Sequence, residues 1–246
     1  MILRQFLHSD PVGVSYLFGC GGKASGAVVD PVGDIQIYLR EAEATGLRIR
    51  FVIDTHVHAD HLSAGRALAV AAGAEYVLWT GADVSYPFKG VGDGEVLPLG
   101  NVTATVMHTP GHTPEHISLL VTDRTRGDDP WFVFTGHAFM VGDLGRTELA
   151  VDAEQGAMDL FQTTRRLKTL PDYLEVFPGA YAGSVCGRSL SGKPSSTIGF
   201  EKRHNPALAI EDEAAFVRFM VAEPPPALSE AARIRSVNAG HAMAAA

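Results

Sequence analysis

The sequence predicts an α/β protein made of two layers of strand flanked by helices. Three observations predict it. Strand and helix signals alternate through the first half, the middle is a series of β-branched and aromatic runs, and no segment repeats at a solenoid-like period. The 246 residues, 46% hydrophobic and 20% charged, supply enough apolar material for a full core in one domain.

Residues 14–18 and 27–29 read as short strands on either side of the turn-rich Gly19-Cys20-Gly21-Gly22-Lys23. Ile35, Tyr38, Leu39 and Ala42 give residues 34–45 helical spacing, with Asp34 as N-cap and Gly46 as the stop. Residues 48–54 are a β-branched run that ends in a histidine-rich segment. A helix over 63–72 follows, capped by Ser63 and ended by Gly73. Residues 76–79, 103–107, 117–121 and 131–134 read as strands, with a polar turn over 123–130. The longest helical pattern is 153–169, and 174–177 reads as a last buried strand. Residues 179–199, rich in Gly, Ser and Pro, read as an ordered loop or linker. Helices are expected over 212–220 and 229–237, interrupted by Glu223-Pro224-Pro225-Pro226, and the alanine-rich end is expected to fray. From about residue 207 onward the chain reads as a helical extension of the single domain.

A formal charge of −8 argues against general nucleic-acid binding, which needs a basic face to neutralise phosphates. It leaves room for a small anionic substrate in a local pocket. Two cysteines, Cys20 and Cys186, make no disulfide framework, so a reducing compartment is expected. No apolar run is long enough to span a bilayer, and the N-terminus lacks the pattern of a signal peptide. The expected location is cytoplasmic, with no membrane partner.

The segment Thr55-His56-Val57-His58-Ala59-Asp60-His61 lies between a strand and a helix. In extended chain, residues two apart share a face, so His56 and His58 can aim at one point. Asp60 and His61, at the turn into the helix, can aim at a neighbouring point. Imidazole nitrogen and carboxylate oxygen are ligands for zinc, iron or manganese. A polar loop with scattered histidines explains this spacing poorly.

His-x-His-x-Asp-His resembles the signature of the metallo-β-lactamase superfamily. Thr109-Pro110-Gly111-His112-Thr113 resembles that family's second ligand loop. Phe134-Thr135-Gly136, with Gly142-Asp143-Leu144-Gly145-Arg146 after it, resembles the third, and Val176-Phe177-Pro178-Gly179 the fourth. The resemblance runs from Phe6 to about Gly240 and implies an αββα four-layer sandwich. Within the superfamily, the stretches Gly142 to Leu149, Ala182 to Gly187 and Ser195 to Pro206 are most similar to persulfide dioxygenases. The chain ends where a rhodanese domain would begin, so none is expected.

Two positions depart from the pattern. The family's third loop reads Thr-Gly-Asp and its Asp binds metal; here that position is His137. The fourth loop usually carries a histidine where this chain has Ala180. A neutral imidazole cannot readily bridge two cations, and alanine offers no ligand, so a second metal would keep only Asp60 and His61. The expectation is one metal held by His56, His112 and His137, with His58 close by. Fe(II) is the metal the resemblance implies, and three histidines also suit Zn(II). Alternatively, His137 marks an altered site that binds metal poorly.

Other residues carry two readings each. Arg146 suits a substrate carboxylate or an ion pair with Asp143 or Glu148, and Lys202 with Arg203 suits a carboxylate or a solvated basic face. Tyr181 reads as pocket rim or core. Asp54 reads as an acceptor that orients a ligand histidine. Cys186 reads as loop structure rather than a nucleophile, and Cys20 as a small buried residue. Pro114 excludes a helical metal pair between His112 and His116, so His116 reads as the start of a strand. His8 and His241 are expected in solvent, with His108 and His204 as weak pocket-rim candidates.

The resemblance implies a dioxygenase that uses dioxygen to convert a small thiol-borne persulfide, such as glutathione persulfide, to sulfite. The alternatives are a glyoxalase II-like zinc thioester hydrolase and a catalytically impaired thiol-binding protein. A homodimer is also an expectation from relatives.

Overall fold

The structure is a computed structural model that describes residues 1–222 and 229–242. Two six-stranded sheets form its centre. The first runs β1 (Ile2–Ser9), β2 (Val12–Cys20), β3 (Ser25–Val29), β4 (Arg48–Ile53), β5 (Glu75–Trp79), β6 (Lys89–Val91) in that spatial order. The second comprises β7 (Val96–Leu99), β8 (Val102–His108), β9 (Ile117–Asp123), β10 (Phe132–Gly136), β13 (Glu175–Pro178) and β14 (Ser196–Thr197). Their order in space is β14-β13-β10-β9-β8-β7. A small hairpin, β11 (Phe139–Met140) with β12 (Asp143–Leu144), follows β10.

Strand periodicity sorts side chains into layers. Val14, Tyr16 and Phe18 of β2 face inward, where they meet Leu97, Val106, Leu119, Phe132 and Phe134 of the opposite sheet. Leu17 between them faces outward, with Val28 and Val52, against Tyr38, Ala42, Leu68 and Ala69. Those four belong to α1 (Gln36–Thr45) and α2 (Gly65–Ala72). On the far side, Val133 and Val176 meet Ala157, Leu160, Phe161, Phe216 and Met220. These come from α3 (Ala153–Lys168) and α5 (Glu213–Ala222). Three apolar seams between four layers make the αββα sandwich.

Gly46 and Gly73 close α1 and α2 with positive φ, as expected. The N-caps fall one residue later than expected, at Ile35 and Ala64, and Asp34 and Ser63 accept instead from the Gln36 and Gly65 amides at 2.9 Å from just outside the helices. The loop after β13 returns to the sheet through β14 and then α4 (Ile198–His204), a strand and helix the sequence reading did not anticipate. Residues beyond 207 join the layers: Ala207, Leu208, Phe216 and Met220 are buried in the α3 seam. The last helix, α6 (Ala231–Asn238), instead lies against the histidine loop. The Glu223-Pro226 break and the alanine-rich end fall outside the described residues. No helix among the described residues is long and apolar enough to cross a membrane.

Candidate metal centre

The chain leaves β4 at Ile53 and enters the loop that carries His56, His58, Asp60 and His61. Asp30, at the end of β3, organises this loop. Its carboxylate accepts from the Thr55 amide at 2.7 Å, from the Thr55 hydroxyl at 2.9 Å and from His58 Nε2 at 3.2 Å. The consequences for ring protonation follow directly. The Thr55 hydroxyl gives its proton to Asp30, so its oxygen accepts from His56 Nδ1 at 3.0 Å and leaves the His56 Nε2 lone pair unused. His58 donates from Nε2 and leaves Nδ1 unused. Each ring is thus held in the tautomer a cation requires.

The other ligand loops are set in the same way. His112, in the turn between β8 and β9, donates from Nδ1 to the Arg146 carbonyl at 2.7 Å and leaves Nε2 open. His137 follows β10 at Gly136, whose φ is +49°; a Cβ at Gly136 would lie 2.5 Å from His116 Nε2. His116 Nε2 accepts the His137 amide at 3.1 Å and the Ala138 amide at 3.3 Å. Its Nδ1 therefore carries the proton and donates to Thr109 at 2.9 Å. His116 lies just before β9, as its sequence position implies, but its work is to support the His137 turn. Nothing in the sequence marks that long-range bond.

The rings converge. His56 lies 4.8 Å from His112 and 4.9 Å from His137 between centroids, and His112 lies 5.2 Å from His137. One ligand atom each of His56, His58, Asp60 and His137 falls within 4.8 Å of the others, as does one each of His112, His137 and Cys186. His56 Nε2, His58 Nδ1, Asp60 Oδ1, His112 Nε2, His137 Nδ1 and both nitrogens of His61 are buried without a hydrogen-bond partner among the described residues. Orphaned polar atoms in a core are costly, and a divalent cation satisfies them. The residues present fit a metal.

Electrostatics agree with neutral rings at His56, His112 and His137, whereas at His58 burial is outweighed by Asp30, Asp60 and Asp54, which hold its pKa well above the ordinary histidine value. Burial, then neighbouring histidines, holds His56 well below the ordinary histidine pKa, and the same causes bring His112 to about 3. His137 is lowered first by burial. Burial opposes charge on Asp60, but His61 and His137 outweigh it and hold the carboxylate well below its usual range. Asp60 Oδ1 sits 3.1 Å from His61 Nδ1.

The other candidate residues sit partly with and partly against expectation. Asp54 orients no histidine; its Oδ2 accepts from the Ser63 and Tyr76 hydroxyls, and Asp30 has the orienting role. Arg146 is 5% exposed and gives its Nε to Glu148 at 2.7 Å and an NH group to the Val185 carbonyl, so it takes its ion-pair reading. Lys202 binds Asp172 at 2.6 Å and the Leu170 carbonyl, facing the link between α3 and β13, and Arg203 is exposed with its charge acting on Asp172. The Tyr181 hydroxyl donates to the His8 carbonyl at 2.9 Å, and its ring packs on the inner core. His8 is half-buried against Ser15 rather than in solvent. Cys186 lies in a loop, as expected, but fully buried beside His112 and His137. Cys20 is buried at the end of β2.

The C-terminal helix supplies contacts that sequence spacing concealed. Asn238 donates to the His58 and His61 carbonyls at 2.8 Å each and accepts from the Ser63 amide at 3.0 Å. Arg235 donates to the Val57 carbonyl at 2.6 Å and pairs with Glu115, whose carboxylate also takes the Val57 amide.

The family model described as metallo-beta-lactamase superfamily matches residues 10–179. Human mitochondrial persulfide dioxygenase ETHE1 is 27% identical over 228 residues, covering 89% of this chain and 80% of that protein. Hydroxyacylglutathione hydrolase GloC of Haemophilus influenzae is 27% identical over 205 residues, covering 74% of this chain and 86% of that protein. A crystal structure of a metallo-beta-lactamase from Staphylococcus aureus subsp. aureus COL superposes with a TM-score of 0.91 at 34% identity, over 97% of this chain and 72% of that one. That of ETHE1 from Myxococcus xanthus gives 0.83 at 31% identity, over 98% and 99%.

Proposed function

The chain belongs to the metallo-beta-lactamase superfamily, and on that premise we propose a mononuclear iron-dependent dioxygenase that oxidises glutathione persulfide or a similar small persulfide to sulfite. The observation that carries it is the buried set of partnerless nitrogens on His56, His112 and His137, with His58 beside them. Likeness to human ETHE1 over 89% of the chain supports the substrate class. In balance, persulfide, dioxygen and water give thiol, sulfite and two protons; the terminal sulfur loses four electrons and dioxygen gains them.

Bound ferrous iron would supply open coordination positions and the redox chemistry. The chain supplies the rest. His56, His112 and His137 would hold the metal; Thr55 fixes the ring of His56, the Arg146 carbonyl that of His112, and Asp30 that of neighbouring His58. Asp60 and His61 are the groups placed to take the protons released. Burial of the ligand rings, each about 1% exposed, excludes bulk water behind the metal. Dioxygen, a cytoplasmic location and a homodimer belong to the same proposal.

A second reading, zinc-dependent thioester hydrolysis, is favoured by the likeness to GloC and by Asp60 beside the histidine rings, where it would serve as a base. Metal content, oxygen uptake with glutathione persulfide and hydrolysis of lactoyl-glutathione separate the two. The dioxygenase reading expects uptake that scales with iron, one sulfite per dioxygen. Thioester turnover that scales with zinc replaces it with the second reading. No turnover of either substrate at full metal loading leaves a thiol-binding protein.

A further inference from the structure

Two donor clusters share His137. One is imidazole and carboxylate, from His56, His58 and Asp60; the other contains sulfur, from His112 and Cys186, with all three of its ligand atoms within 4.8 Å. We propose that Cys186 is a protein ligand of this centre, bound as thiolate beside His112 Nε2 and His137 Nδ1. The inference rests on the reading of the site as a metal centre and adds a donor to it.

The placement of Cys186 is built. The Arg146 amide donates to the Cys186 carbonyl at 3.0 Å, and an Arg146 NH group donates to the neighbouring Val185 carbonyl at 3.1 Å. The Arg146 carbonyl in turn accepts from His112 Nδ1 at 2.7 Å. One residue therefore fixes the thiol and the imidazole relative to each other. Gly145 permits it, because a Cβ there would collide with the His137 carbonyl and lie 2.9 Å from His112 Nδ1. The Cys186 amide is tied to Ser184 Oγ at 3.2 Å, which closes the loop behind the sulfur.

The side chains opposite the thiol point to a ligand. His112 and His137 are each about 1% exposed, and His112 Nε2 and His137 Nδ1 have no hydrogen-bond partner among the described residues. Charge gives the second reason. Asp60 offsets one unit of a buried dication's charge, and a thiolate at Cys186 removes a second on the His112 side. On binding, the sulfur–hydrogen bond breaks, a metal–sulfur bond forms and the proton leaves to solvent, with no change of oxidation state. A sulfur donor makes the centre thiophilic, favouring zinc or ferrous iron over magnesium or calcium.

Cobalt(II) titration of the full chain tests this. The wild type should show d–d absorption together with an intense near-ultraviolet sulfur-to-cobalt charge-transfer band. Cys186→Ser should keep the d–d envelope, lose that band and bind cobalt at least about tenfold more weakly, the scale on which even indirect partners act. Cys20→Ser should keep the band, which assigns the sulfur. Matching far-ultraviolet circular dichroism of the metal-free variants shows that folding is intact. Cobalt bound by the wild type with d–d absorption alone, or a band that survives Cys186→Ser, overturns the ligand role and leaves the metal centre standing. A wild type that binds no cobalt overturns the metal centre itself.

Discussion

Asp30 is the residue on which the geometry of the histidine loop turns. Its backbone takes a left-handed φ of 47°, which a short polar side chain tolerates. From there its carboxylate meets a backbone amide, a hydroxyl and an imidazole together. Burial opposes its charge, but His58 and the Thr55 donors outweigh that and lower its pKa. Asp30→Asn keeps the shape but puts an NH2 group among those donors, so one ring loses its fixed tautomer. Metal affinity is expected to fall about 10–100-fold, read by competition with a chromogenic chelator; unchanged affinity would remove Asp30 from the site. The sequence shows His56, His58, Asp60 and His61 plainly, because their relation is local spacing. Asp30 and His116 act across 20 residues or more, and Cys186 is brought in from beyond β13, so no local pattern reveals them.

At the scale of elements, α6 acts as a brace on that loop. Asn238 makes three hydrogen bonds to loop backbone, while the Tyr86 hydroxyl and the Ser85 amide hold the end of the helix from the other side. Asn238→Ala removes all three loop contacts; at about 0.5–1.5 kcal/mol each, the cost is about 1.5–4.5 kcal/mol. Asn238→Asp keeps an acceptor for Ser63 but sets a carboxylate against two carbonyls. It should therefore weaken metal binding more than a core change of equal stability cost, such as Leu160→Ala. Urea melts of metal-free protein with cobalt affinities for the three variants check this, and equal affinities would reduce α6 to packing. The helices α1, α2 and α3 are legible in sequence because their apolar spacing is regular and, for α1 and α2, a glycine marks the stop. Strands β1, β6, β7 and β14 are not: each is a sheet edge or next to one, short or half-exposed, so its alternation is diluted.

For the whole molecule, the centre is a clasp between layers. His56, His58 and Asp60 come from the first sheet, while His112, His137 and Cys186 come from loops of the second. Folding without metal gathers their partnerless buried atoms at some cost, offset by the aromatic inner seam, where Phe134 meets Tyr16, Phe18, Phe132 and Phe177. A cation that binds only this arrangement stabilises it by mass action, about 4.1 kcal/mol at a free concentration a thousandfold above Kd. For a chain of this length each kcal/mol moves Tm by about 2–4 °C, so loading should raise Tm by about 8–16 °C. Calorimetry of chelated and reloaded protein measures the shift. Asp30→Asn, titrated at the same metal concentration, should show a smaller one because its Kd is higher. A Tm indifferent to chelation would mean that the two sheets close on each other with no cation between them.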